Sequence, residues 1–147
     1  MVTPVIVANN IIKKALAEDI PLSPLKLQKL VYFLYKEYLQ ATGETLFNER
    51  FETWRYGPVL PSLYFEFMSF GNQSISHYAA DSQGKIFFVK EEGEFKKAIS
   101  KVWKKYKTFT GATLSNLTHQ EGTAWSLACE RKENFLSVEE IKDERDL

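Results

Sequence analysis

Among its 147 residues the chain has a single cysteine, Cys129. One thiol can form neither an internal disulfide nor a cysteine-based zinc site, and such sparing use suits a reducing compartment. Histidine is almost as scarce: His77 and His119 are the two present. There is no G-x-S-x-G elbow, no phosphate-cradling glycine loop, no H-E-x-x-H and no C-x-x-C, so the common hydrolase, nucleotide-binding, metalloprotease and redox signatures are missing. No cofactor and no metal are expected. No apolar run approaches the roughly 18 residues of a membrane helix, and the opening Met1–Asn10 lacks the basic leader of a signal peptide. A cytoplasmic protein without membrane contact is the expectation. An excess of either charge is also absent, with 19 Lys+Arg against 19 Asp+Glu. Phosphate neutralisation supplies much of nucleic-acid affinity, so this balance argues against a dedicated nucleic-acid binder.

What the chain does have is apolar and aromatic mass. Hydrophobic residues make up 44% and aromatics 14%, with 11 Phe and 7 Tyr. That suffices for one domain over 1–147 with a real core. Periodicity reads as mainly α with a small β element. Val5, Ala8, Ile12, Ala15 and Leu16 line one face of a first helix, opened by Thr3-Pro4. Ser23-Pro24 opens a second helix, about 23–41, that is apolar nearly all round. A helix of that kind is central, and Lys26, Lys29 and Lys36 are expected to escape along its remaining margin. Phe51, Trp54 and Tyr56 lack helical spacing and read as a strand over about 50–56. Ile86-Phe87-Phe88-Val89 reads as a second strand, about 85–90, pairing with the first. Between them, Leu60, Tyr64, Phe67 and Met68 mark a short helix. Phe95, Ala98, Ile99, Val102, Trp103 and Tyr106 recur at helical spacing. Shorter helices follow over Thr110–Thr118 and near Thr123 and Ser137, the last two opened by a capping residue. The fold class is thus a single-domain helical bundle around a buried central helix.

Several residues invite chemical readings. His119 and Cys129 can be drawn as base and nucleophile; equally, Cys129 reads as a small buried hydrophobe near Trp125 and His119 as a cap on helix carbonyls. Lys97, Lys101, Lys104 and Lys105 share one helix face and read as a solvated face or a contact for phosphates or an acidic partner. The acidic terminus, from Glu139 to Asp146, can answer that face within the chain or in a homodimer. Gly57, Pro58 and Pro61 mark a rigid structural turn, because two prolines fix their φ and the residue before a proline is restricted. Trp54 and Tyr56, beside that turn, read either as core or as anchors for a protein partner.

These segments together resemble a known family. Pro24-Leu25-Lys26-Leu27-Gln28-Lys29-Leu30-Val31-Tyr32-Phe33, then Leu46-Phe47, then Phe51 through Tyr64 with its Trp54-Arg55-Tyr56-Gly57-Pro58-Val59 core, look like the hallmark of the Panacea domain. Leu114–His119 followed by Trp125 resembles its C-terminal signature. Thr53 and Ala124 depart from it, where the family often has Ala and Pro. The resemblance implies a stand-alone helical domain and a non-enzymatic antitoxin that binds a cognate toxin protein. The alternatives are an adaptor delivering a toxin to a ClpXP-type protease, or a small hydrolase using His119. It also makes Lys26, Gln28, Lys29, Trp54, Tyr56, His119 and Trp125 candidate partner-binding residues.

Overall fold

The computed structural model describes residues 1–147. Seven helices and one short hairpin follow in the order α1 (Pro4–Glu18), α2 (Pro24–Thr42), β1 (Glu52–Trp54), β2 (Gly57–Val59), α3 (Pro61–Phe67), α4 (Gly93–Tyr106), α5 (Gly111–Thr118), α6 (Ala124–Glu130) and α7 (Val138–Asp143), with a 3-10 turn at Met68–Phe70. Five helices start at a hydroxyl. Thr3, Ser23, Thr110, Thr123 and Ser137 each accept from the amide three residues on, satisfying a donor the helix leaves unpaired. No helix is long and apolar enough to cross a membrane.

Helix α2 is the axis of the molecule. Leu27, Leu30, Val31, Tyr32, Phe33, Leu34, Tyr35 and Leu39 are all buried, so it is enclosed on every side, as its composition requires. The Phe33 ring stacks on Tyr106 of α4 at 4.5 Å, while Tyr32 and Tyr35 meet Phe51 edge-on at 5.1 Å. All six apolar residues of the α4 stripe are buried. On α1, Val7, Ala8, Ile11, Ile12 and Ala15 face inward, and Leu16, placed on that face by spacing, is exposed.

The lysines of α2 do not reach the margin. Lys26, Lys29 and Lys36 are buried, each spent on a backbone carbonyl. Lys26 Nζ donates to Lys107 O at 2.5 Å and Pro21 O at 3.3 Å, Lys29 Nζ to Pro58 O at 2.7 Å, and Lys36 Nζ to Arg145 O at 2.6 Å. Helix periodicity counts a lysine as polar and sends it outward; a long stem with one carbonyl waiting at its end can lie inside instead.

The β element also differs from the sequence reading. β1 pairs antiparallel with β2, its immediate successor, in the register Glu52↔Val59, Thr53↔Pro58 and Trp54↔Gly57. The second edge of β1 meets the chain near Phe135, through Glu52↔Phe135 and Thr53 N to Asn134 O at 2.9 Å. Residues 85–90 form no strand with it. They lie across α1, where two buried asparagines take the place of a partner strand. Asn9 Nδ2 donates to Ala79 O and Phe87 O, both at 3.0 Å, and Asn10 clamps both Val89 N and Val89 O at 2.8 Å. Helix side chains therefore satisfy backbone that hydropathy alone would assign to a sheet.

Candidate functional site: a signature turn held by five side chains

The hairpin turn Trp54–Leu60 is gripped through its own carbonyls. Trp125 Nε1 donates to Trp54 O at 2.8 Å, His119 Nε2 lies 2.9 Å from Arg55 O, and Ser115 Oγ donates to Tyr56 O at 2.5 Å. Lys29 Nζ holds Pro58 O, and Gln28 pairs with Leu60 in both directions, Nε2 to O and N to Oε1, each at 2.9 Å. Five of the seven carbonyls from residue 54 to residue 60 are thus bonded by side chains of α2, α5, α6 and the α5 cap. A turn fixed this way loses most of its conformational freedom before any partner arrives.

Gly57 is the tightest point. Its φ is +111°, and a Cβ there would stand 2.5 Å from Thr118 Oγ1 and 3.0 Å from Lys29 Cε. Only glycine satisfies both the backbone conformation and the closeness of α2 and α5. Burial pushes the Lys29 ammonium down to about 7, because no carboxylate is at hand to offset its desolvation. Lys26 is lowered for the same reason.

His119 is the C-terminal cap of α5, with Nδ1 2.6 Å from Ser115 O, and its ring lies 4.1 Å from Trp125. Each ring nitrogen faces a carbonyl oxygen, leaving neither directed at open space. The capping role read from sequence is the one the fold gives it. Cys129, read as a buried hydrophobe, is exposed, because α6 is a short helix whose Ala124 and Ala128 face inward.

On its outer side the turn displays what its backbone does not use. Tyr56 is 58% exposed and Tyr64 43%. Trp54 is half-buried, bonded through Nε1 to Glu52 at 2.9 Å and packed 5.0 Å from Tyr64. The Arg55 guanidinium lies over the Tyr56 ring at 5.5 Å. These residues, with Leu25, Leu63 and Met68, line a groove of about 480 Å³ between the start of α2, the hairpin and α3. The sequence candidates at the turn therefore separate into two sets: Gln28, Lys29, His119 and Trp125 grip it from behind, and Trp54 and Tyr56 face the groove. Lys26 belongs to neither, because its ammonium is bonded to Pro21 O and Lys107 O. Ser115, Thr118, Arg55, Tyr64 and Met68 were not singled out from sequence. Ser115 could have been found from its place one helical turn before His119.

The model for the antitoxin SocA-like, Panacea domain family matches residues 27–126, a stretch that holds the turn and all five side chains gripping it. Antitoxin SocA of Caulobacter vibrioides (strain NA1000 / CB15N) is 32% identical over 126 residues, which cover 82% of this chain and 67% of that protein. No solved structure gives a significant match. The chain belongs to the antitoxin SocA-like, Panacea domain family.

Proposed function

We infer that this protein is the antitoxin of a toxin–antitoxin pair and neutralises a protein toxin by direct, non-catalytic binding through the groove face of the signature turn. One observation carries the reading: the residues that mark the family immobilise the turn, and the turn presents Trp54, Arg55, Tyr56 and Tyr64 around an apolar groove. Aromatic residues and arginine held on a rigid platform are the composition of binding hot spots. Preorganisation lowers the entropy cost of docking, so a small surface can bind tightly. In this reading Gln28, Lys29, His119 and Trp125 act on the toxin only by holding the turn.

The test is co-expression with the protein encoded by the adjacent gene. Rescue of growth together with a purifiable complex supports the reading, and neither appearing removes it. Toxin half-life in the same cells separates occlusion from delivery to a ClpXP-type protease: an occluded toxin persists in the complex, whereas a delivered one disappears unless the protease is deleted.

A further inference from the structure

The chain has four arginines, and it uses the side chains of three. Arg50 Nη2 donates to Leu136 O, Arg131 pairs with Glu133 and Glu140, and Arg145 donates to Glu121 O and Gln120 Oε1. Arg55 differs. Its carbonyl is taken by His119, but its guanidinium is exposed, stands in no ion pair and rests against the Tyr56 ring at 5.5 Å. A guanidinium stacked on an aromatic ring keeps its donors in one plane, ready for a carboxylate in two-point geometry. Arg55 is also the sole charged residue lining the groove of the signature turn, and no lining residue is acidic. The groove is therefore apolar with one unanswered positive charge at the turn.

The backbone around the groove narrows the occupant further. The carbonyls of residues 54, 55, 56, 58 and 60 are taken by side chains of the chain itself. The other two residues of the turn, Gly57 and Val59, are paired across the hairpin with Trp54 and Glu52. The turn thus offers an incoming strand no row of free carbonyls, and the other walls, α2 and α3, are helices. Gln28, the polar side chain in the floor, is bonded to Leu60 in both directions. A strand or loop laid in this groove would bury its own backbone groups without partners. A helix brings those bonds with it. We propose that the groove receives an amphipathic helix of the toxin, its apolar side chains between Trp54, Tyr64 and Met68, with an Asp or Glu side chain beside them bonded to Arg55. This rests on the toxin binding at the groove face, as inferred above, and adds what that part of the toxin must be.

Calorimetric titration of the full chain with the protein encoded by the adjacent gene, at several salt concentrations, tests the pairing. Arg55→Ala is expected to weaken binding roughly thirtyfold or more. Arg55→Lys recovers part of that loss, because an ammonium lacks the planar fork. Arg55→Glu binds more weakly than Arg55→Ala, by a margin that shrinks as salt rises. Urea unfolding checks that each variant is folded. Hydrogen exchange on the wild-type complex then locates the toxin segment that the groove protects, expected to be a helix with an Asp or Glu beside its apolar face. Replacing that acid by Lys should weaken binding to the wild type and restore it to Arg55→Glu. If Tyr56→Ala loses binding while Arg55→Glu keeps it, the acidic helix is refuted and the groove remains the toxin site. Protection of an extended segment or of the toxin's C-terminal carboxylate, or no rescue by the Lys exchange, also overturns the proposal. If neither Tyr56→Ala nor Arg55→Glu changes binding, the groove reading falls and this inference falls with it.

Discussion

Lys29 Nζ donates to the carbonyl of Pro58 at 2.7 Å from a fully buried position, with no acidic side chain to balance it. The bond joins the two halves of the family signature, the L-K-L-Q-K-L run on α2 and the W-x-Y-G-P-V turn. It also places an ionisable group where its charge is costly. With the folded ammonium near 7 and the unfolded one at 10.5, the unfolded chain binds more protons between these values. Stability must therefore rise with pH across that window. For this one group the gain from about pH 7 to pH 9 is about 2 kcal/mol. Urea unfolding of wild type and Lys29→Met at both pH values isolates it, since Lys26 and the tyrosines are common to both proteins. Parallel pH profiles would mean that Lys29 titrates normally and is not enclosed.

Gly57 sets the second prediction. A methyl group at this position meets Thr118 Oγ1 at 2.5 Å while φ stays at +111°. Strain in the backbone and overpacking against α5 each cost about 1–3 kcal/mol. Gly57→Ala should lose roughly 2–5 kcal/mol in chemical denaturation. Adding Thr118→Ala should recover the packing part and leave the backbone part. Full recovery would show that φ contributes nothing.

The groove face predicts the opposite pairing of effects. Tyr56 is held through its carbonyl, and its ring is exposed. Tyr56→Ala should leave the unfolding midpoint within about 0.5 kcal/mol of wild type, as surface changes usually do. As a hot-spot residue it should cost about 2 kcal/mol or more in toxin affinity, measured by calorimetric titration. Gln28→Leu should do the reverse. It strands Leu60 N inside the protein, costing about 1–3 kcal/mol, while Leu60 O keeps the amides of Leu63 and Tyr64, and it touches the toxin only through the turn. If Tyr56→Ala binds toxin like wild type, the groove face is not the toxin site.

How far the sequence carried depends on which physical signal each element uses. Helix α4 was legible to the residue, because its six apolar positions obey one period and all six are buried. The caps at Thr3, Ser23, Thr123 and Ser137 were legible because a hydroxyl before a helix has one dominant use. The strand at 85–90 was misread, since hydropathy sees Ile86–Val89 but cannot see Asn9 and Asn10 reaching it from more than seventy residues away. The same blindness put Lys26, Lys29 and Lys36 outside. At the site, six of the seven residues named from the motifs gather around one turn, yet their division into grip and display was not readable. That division depends on which carbonyl each side chain reaches, a long-range fact with no local signature.

Glu144 gives the last prediction, and it concerns the tail that closes the molecule. Its Oε1 accepts from Tyr32 Oη at 3.0 Å and from Ala124 N at 2.8 Å, at the start of α6. Its Oε2 lies 2.9 Å from Lys36 Nζ, an ion pair outside hydrogen-bond geometry, with the two side chains 1% and 6% exposed. Burial first, then the carboxylate, push the Tyr32 hydroxyl up, so Tyr32 stays a donor. Removing one member of a buried pair leaves the other charge uncompensated and typically costs about 3–5 kcal/mol. Glu144→Ala should fall in that range, with an added loss from the uncapped start of α6. Lys36→Met alone should cost a similar amount. The double variant should be far less destabilised than the sum, because both charges have then left the interior. A double-mutant cycle on urea midpoints measures the difference. Additive effects would mean that Lys36 and Glu144 each face solvent in the folded chain and that the tail does not lock α2 to α6.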